Sequence, residues 1–454
     1  MNEKNINGKE LIFSALRHEE TPRLPWIPFA GVHAGKLSSV SARELLTNTD
    51  KLVDALLEVN RLYLPDGQPV VFDLQIEAEI LGCKLMWADN APPSVASHPL
   101  EENLEIPSYL PNRSDGRLPV ILEAMRRMKA AVGGHTALYG LVTGPFTLAS
   151  HLRGTEIFLD TVDNEDFVRS LMAYTTQVCK RMVDFYVDAG MDVVAVVDPV
   201  VSQVSPRHFK RFLADSFTEI FDYIRARRVF SAFFVCGDAT KNIEVMCHTG
   251  PDCIAVDENI DMATAKVITD QHNITLSGNI PLTSVMLFGT QQDNMMYVLK
   301  LMDTLNHKNL MISPGCDMPY DTPVENSVGI MQTVREPDVA RKLLANYHAS
   351  ELDIQIDLPD YANLHKPLIE VFTLDSDTCA ACAYMFAAGK RVADELADKV
   401  DFVEYKITVL ENIARIKKMG VKNLPSIYVN GELKFSSIIP SHRELMDIVK
   451  AYLK

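Results

Sequence analysis

Between residues 24 and 315, apolar runs of strand length recur at 24–30, 69–74, 137–142, 192–198, 228–235, 253–257, 273–278 and 309–313. Strongly helical patterns, such as NEDFVRSLMAYTTQVCKRMVDFYVDAG and PRHFKRFLADSFTEIFDYIRARR, fill several of the gaps. Such an alternation restricts the chain to parallel α/β construction, because a strand reaches a parallel neighbour only through a crossover, usually a helix. Eight runs predict a (β/α)8 TIM barrel over residues 1–346, with the groups that do chemistry at the C-terminal ends of the strands. Just past the runs stand His33, Asp73 with Glu77, Thr143, Asp198, Cys236, Glu258, Asn279 and Cys316. Each of them is also a residue type that caps helices or closes turns without further function, or a small apolar filler in the case of cysteine.

With 454 residues, 47% hydrophobic and 23% charged, the chain is long and apolar enough for two or three folded units. Its 44 Lys and Arg against 60 Asp and Glu leave a formal charge of −16. That charge repels phosphate backbones and anionic lipid and argues against nucleic acid or a membrane as partner. No stretch offers about 18 uninterrupted apolar residues and the N-terminus lacks the apolar core of a signal peptide, so a cytoplasmic protein is expected. Its eight cysteines follow no short secreted framework, so most are expected to be thiols.

Residues 347–366 carry acidic groups and prolines without periodicity and read as a linker. Residues 367–454 then follow the order βαβαββα, with Cys379 and Cys382 at the start of the first helix. Unpaired amides in a first helical turn stabilise a thiolate, which makes Cys379 the attacking sulfur and Cys382 the resolving one. A zinc ribbon would need a second Cys-x-x-Cys pair, which the chain lacks. This stretch resembles thioredoxin and glutaredoxin: besides Cys379-Ala380-Ala381-Cys382, it places Leu424-Pro425 where that family has its cis-proline and Gly431 in the hairpin beyond. Thioredoxins usually carry Gly-Pro between the cysteines, so the two alanines leave the direction of the redox chemistry open.

In the large domain, Cys236 in FFVCGDAT and Cys316 in ISPGCDMP lie 80 residues apart, each just past a predicted strand. In a barrel both face the same mouth, and soft thiolates gathered there suit zinc. Residues 8–346 resemble the uroporphyrinogen decarboxylase superfamily, and more closely its corrinoid-dependent methyltransferases. The likeness is carried by LIFSALRHEETPRLPWIPF, VFDLQIEAEILGC, YGLVTGPFTLASHLRG, VVDPVVSQVSPRHF, CIAVDENIDMATAK and LSGNIPLTSVMLFGT. The resemblance implies methyl transfer from a corrinoid carried by a partner protein to a small thiol or similar acceptor, with zinc held by a His-x-Cys motif and a later Cys. Here those positions read Phe234-Val235-Cys236 and Cys316. Phenylalanine cannot ligate a metal, so Glu258 is the expected third ligand, with Asp238, His33 and Glu77 as further candidates. Asp198 is expected in a catalytic or pocket-lining role, and His33, Asp73, Glu77 and Asn279 are expected to contact substrate.

Two other readings compete. In uroporphyrinogen decarboxylation Asp73 would stabilise the protonated pyrrole, but the arginine-rich RQAGR-type motif of decarboxylases is replaced by FAGVHAGKL, with only His33 and Lys36 as cations. Alternatively Cys236 and Cys316 form a reversible disulfide that Cys379 and Cys382 reduce, the linker letting the small domain reach the barrel mouth.

Overall fold

The computed structural model describes residues 7–348, 354–377 and 380–453. The large domain is built on a parallel sheet of seven strands: β1 (Gly67–Pro69), β4 (Ala137–Thr143), β5 (Val193–Val197), β6 (Phe230–Val235), β7 (Cys253–Val256), β8 (Thr275–Ile280) and β9 (Leu310–Pro314), in that spatial order. A short hairpin of β2 (Leu85–Met86) and β3 (Ser94–Val95) stands apart from it. Val193–Val197 is buried throughout, as expected for a β-branched strand in a parallel sheet covered on both faces.

The α/β expectation holds, but the closed eight-stranded barrel needs correcting. The run at 24–30 makes one isolated parallel bridge, Trp26 to Ile312, instead of a ladder. Ile27 N–H donates to Ile312 O at 3.0 Å, Ile312 N–H to Pro25 O at 2.9 Å, and Asp66 N–H to Trp26 O at 2.9 Å. Pro25 and Pro28 flank this bridge and have no N–H to extend it.

Side chains alternate between the two faces of the sheet. Ala195, Val197, Ala232, Phe234 and Cys236 point into an inner core with Phe29, Phe72 and Met311. Val194, Val196, Phe233 and Val235 point outward to the helices. Cys236 therefore follows Phe234 up the same inner face, one layer nearer the strand ends.

The small domain has the sheet order β11 (Asp401–Lys406), β10 (Leu368–Thr373), β12 (Ser426–Val429), β13 (Glu432–Ser436). β10 and β11 are parallel and the other pairs antiparallel, giving a thioredoxin-like fold. The helix Ala380–Leu396 crosses from β10 to β11, and the Leu424–Pro425 peptide is cis. Tyr361, late in the expected linker, lies on this domain: its hydroxyl donates to Glu370 Oε1 at 2.9 Å. Its ring packs over Gly431, where a Cβ would come within 2.7 Å of it.

The domains are packed together. Tyr384, on the helix Ala380–Leu396, is buried in the outer core of the large domain, and its hydroxyl donates to Ser150 Oγ at 2.9 Å. From the large domain, Phe288 packs against the small-domain cluster of Phe372, Ile407, Leu424 and Tyr428. Among the described residues no helix is long and apolar enough to cross a membrane.

Candidate active site at the strand ends

A cavity of about 390 Å3 opens at the C-terminal ends of the strands. Its wall includes Asp73, Gln75, His151, Cys236, Thr283, Cys316 and Asp317 from the large domain. Leu374, Asp375, Ile407 and Thr408 of the small domain complete it.

Cys236 and Cys316 come together there through a side-chain hydrogen bond. For Cys316 that bond lowers the pKa, while burial and the carboxylates of Asp257 and Asp317 raise it. The rise wins, so the thiol form is favoured at neutral pH. Gly315 brings this loop in close, since a Cβ on it would lie 2.7 Å from the Glu258 backbone nitrogen. Beneath the sulfurs, Phe234 packs with Phe29 and Phe72, at ring distances of 5.0 and 5.8 Å, as an apolar floor.

Glu258, expected as third ligand, turns its carboxylate to the Leu282 amide. Burial, with the charge of Asp257, pushes its pKa up to about 8. Among the described residues, the one group of three ligand-type side chains whose donor atoms all lie within 4.8 Å of one another is Glu244, His248 and His272. His248 and His272 close the C-terminal ends of the helices Ile243–Cys247 and Met262–Gln271, with Glu244 in the first turn of the former, so the group lies toward the opposite pole of the sheet. Cys236, Glu258 and Cys316 do not form such a group. Asp238 accepts from the Thr240 amide and hydroxyl at 3.1 and 2.6 Å.

Several expected substrate contacts face inward instead. Asp198 accepts from the amides of Phe146 at 2.9 Å and Thr147 at 3.1 Å and from the Thr147 hydroxyl at 2.6 Å. It caps the helix Pro145–Arg153 in place of Gly144, where a Cβ would strike Asp198 at 2.4 Å. Burial raises its pKa to about 6. Glu77 lies against Thr143 and is likewise raised by burial, to about 7. Asn279 donates to the carbonyls of Asp257 and Ile260 at 3.0 and 2.8 Å and so holds the loop that carries Glu258. Both ring nitrogens of His33 are engaged, with Tyr320 O at 3.0 Å and the Tyr63 hydroxyl at 2.7 Å, and burial lowers its pKa to about 4.

Asp73 does line the cavity, paired with Arg117 at 2.5 Å and receiving the Gln75 amide at 2.8 Å. Arg117, absent from the sequence reading, also meets Glu79 at 2.7 Å. Gln75 Oε1, His151 Nδ1 and Thr283 Oγ1 are buried cavity-wall atoms without a hydrogen-bond partner. Asp317 accepts the Gly31 amide at 2.8 Å, and burial holds its pKa well above the usual carboxylate range. His151 in SHLRG and Asp317 beside Cys316 were visible in the sequence, but nothing local showed that they face a cavity.

In the small domain Cys382 is buried, and the Leu374 amide donates to its Sγ at 3.3 Å. Cys379 lies outside the described residues.

Residues 7–337 match the uroporphyrinogen decarboxylase (URO-D) family. The chain belongs to that family. Residues 368–450 of this URO-D family chain match a thioredoxin domain in addition. A "Methylcobamide:CoM methyltransferase MtbA" from Methanosarcina acetivorans is 27% identical over 328 residues, 70% of this chain and 94% of its own length. "Methylcobamide:CoM methyltransferase MtaA" from Methanosarcina barkeri is 29% identical over 262 residues, 56% of this chain and 74% of its own. A uroporphyrinogen decarboxylase from a Synechococcus strain is 23% identical over 261 residues, 56% of this chain and 73% of its own. The fold is shared with a methyltransferase structure from Methanosarcina mazei, with TM-score 0.68 and 23% identity over 74% of this chain and 100% of that one.

Proposed function

We propose that this chain moves a methyl group from a methylated corrinoid, carried by a partner protein, to a small thiol-type acceptor in the strand-end cavity. The observation that carries the reading is the hydrogen-bonded Cys236 and Cys316 pair in that cavity. It occurs in a chain aligned with 94% of a protein named as a methylcobamide:CoM methyltransferase. The unpartnered Gln75, His151 and Thr283 atoms hold the polar end of the acceptor, because buried polar groups gain most from a partner.

An acceptor thiol, with a pKa near 8.5, must lose its proton before it attacks. Glu258, raised to about 8 and beside the cavity-wall residue Leu282, is matched to take that proton. The sulfur then bonds to the methyl carbon, and the carbon–cobalt bond breaks with its electron pair left on cobalt. Asp198, Asn279, Glu77 and His33 act as positioning residues that hold the loops around the cavity.

Zinc, the finer expectation from the family, does not fit the donor set: among the described residues the donor atoms of Cys236, Glu258 and Cys316 do not lie together at ligand spacing. No step is therefore routed through a metal. Working thiols on both domains suit a reducing compartment such as the cytoplasm.

The test is to incubate the full chain with methylcob(III)alamin and a small thiol, following the cobalt spectrum and the thioether by mass spectrometry. Thiol-dependent demethylation is expected, with most of it lost in Cys236→Ser and Cys316→Ser variants of wild-type circular dichroism. Undiminished turnover in both would refute the reading.

A further inference from the structure

We infer that Glu244, His248 and His272 form a binding site for one divalent transition ion of the zinc class, apart from the strand-end cavity. Among the described residues, the ligand atoms of these three side chains all lie within 4.8 Å of one another. Glu244 lies in the helix Ile243–Cys247 and His248 is its C-terminal cap, four positions on, a spacing that puts both side chains on one face. His272 caps the next crossover helix, Met262–Gln271, and reaches across to Glu244. The site therefore draws on two successive crossovers, from β6 to β7 and from β7 to β8.

The spacing suits one ion. His272 Nε2 lies 3.0 Å and His248 Nε2 3.9 Å from the same oxygen, Glu244 Oε1. Two ligands about 2.1 Å from one zinc at the tetrahedral angle are about 3.4 Å apart, so both separations stand within about half an ångström of that value. The imidazole rings meet edge to face with centroids 4.8 Å apart, and small side-chain rotations bring both nitrogens to a shared ion.

An independent feature is the way His248 is prepared. Its Nδ1 lies 2.7 Å from Glu244 O, and a carbonyl only accepts, so Nδ1 carries the proton and Nε2 of the neutral ring keeps its lone pair. A histidine that ligates a metal nearly always donates its other N–H in this way, which fixes the ring and makes the ligating nitrogen more basic. A simple ion pair between Glu244 and His272 needs no second histidine held in that tautomer. As the ion enters, His272 moves its proton from Nε2 to Nδ1 and the ring stays neutral. The carbonyl end of the ten-residue helix Met262–Gln271 adds partial negative charge, which favours a cation beside His272.

The donor set selects the class of ion. Two imidazole nitrogens with one carboxylate suit zinc, nickel or copper, whereas calcium and magnesium ask for oxygen. Three protein ligands leave a position for water. Side-chain exposures of 59%, 50% and 24% for His248, Glu244 and His272 give the ion an open path. The bound ion clips the two crossover helices together, and it stabilises the folded chain by mass action because the unfolded chain does not hold the three ligands in place.

The experiment titrates the reduced full chain with Zn2+ in equilibrium dialysis, beside His248→Ala, His272→Ala and Glu244→Gln variants of wild-type circular dichroism. Wild type should hold one zinc ion that each variant binds at least roughly tenfold more weakly, the lower end of what loss of even a hydrogen-bonding partner to a ligand costs. Thiols elsewhere in the chain can also take the ion, so Co2+ serves as a second probe. Its ligand-field bands for the histidine site should be lost in His248→Ala, while any sulfur-to-metal charge-transfer band persists. Zinc should also slow hydrogen exchange in Ile243–Cys247 and Met262–Gln271 in wild type and leave it unchanged in His272→Ala. Equal zinc affinity in wild type and both histidine variants, or Co2+ bands unaltered by His248→Ala, would overturn the inference.

Discussion

Glu77 offers a quantitative check on how the site is framed. Its carboxyl is fully buried against Thr143, whose amide donates to Oε1 at 3.0 Å and whose hydroxyl lies 2.7 Å from Oε2 and 2.8 Å from Leu74 O. In the neutral acid the Oε2 proton goes to the Thr143 hydroxyl, which in turn donates to Leu74 O, so every group is satisfied. Burial raises the pKa from the ordinary 4.5 to about 7. Below 4.5 both folded and unfolded chains hold the proton, and the stabilising effect of the neutral form is fully present. As pH rises to about 7 the unfolded chain ionises alone, so wild type loses about 1.4 kcal/mol per pH unit, roughly 3 kcal/mol in all.

Glu77→Gln removes that loss, because the amide N–H donates to Thr143 in place of the acid proton. The variant should match wild type near pH 4.5 and be more stable by up to about 3 kcal/mol at pH 8. For a domain of roughly 330 residues, at about 2.1 cal/mol/K of unfolding entropy per residue, this is a Tm gain of about 4 °C. Differential scanning calorimetry of the large-domain transition at pH 5 and pH 8 reads it. An equal Tm difference at the two pH values, or a less stable variant at pH 8, would refute the argument.

Arg117→Ala should strand the buried Asp73 carboxylate and cost about 3–5 kcal/mol in urea unfolding, much of it recovered by adding Asp73→Asn. Tyr384→Phe deletes the buried hydrogen bond to Ser150 and should weaken domain docking by about 1 kcal/mol, seen as faster hydrogen exchange in Ala380–Leu396 with the strands β4 to β9 unchanged. Methyl transfer should rise as pH passes about 8, where Glu258 loses its proton. Glu258→Gln should lower the rate by roughly 10²-fold and flatten that rise, whereas a flat wild-type profile would remove Glu258 as the base.

Much of the site was legible in residue order. Cys236 and Cys316 were marked because each ends an apolar run, and parallel strands send all such ends to one face. Pro425, whose peptide with Leu424 is cis, was legible because a thioredoxin motif is local, while Cys379 lies outside the described residues. The count of regular strands failed at 24–30, where Pro25 and Pro28 remove the donors a ladder needs although the run is apolar enough for one. Glu258 was placed at the right loop and assigned the wrong partner, because no periodicity shows that the Leu282 amide stands within reach. Arg117 was missed for a similar reason: it reaches Asp73 across 44 positions of sequence, from a segment with no distinguishing pattern.

What the residue order alone determined is the parallel α/β class, the attached redox domain and the face on which the chemistry gathers, since these follow from local periodicity and short motifs. Tertiary structure alone decided that Cys236 and Cys316 come within hydrogen-bonding reach of one another, that four expected contacts serve as internal braces, and that residues of the small domain line part of the strand-end cavity. Those outcomes depend on strand register and on packing between residues far apart in the chain, where differences of an ångström or two decide which atoms meet.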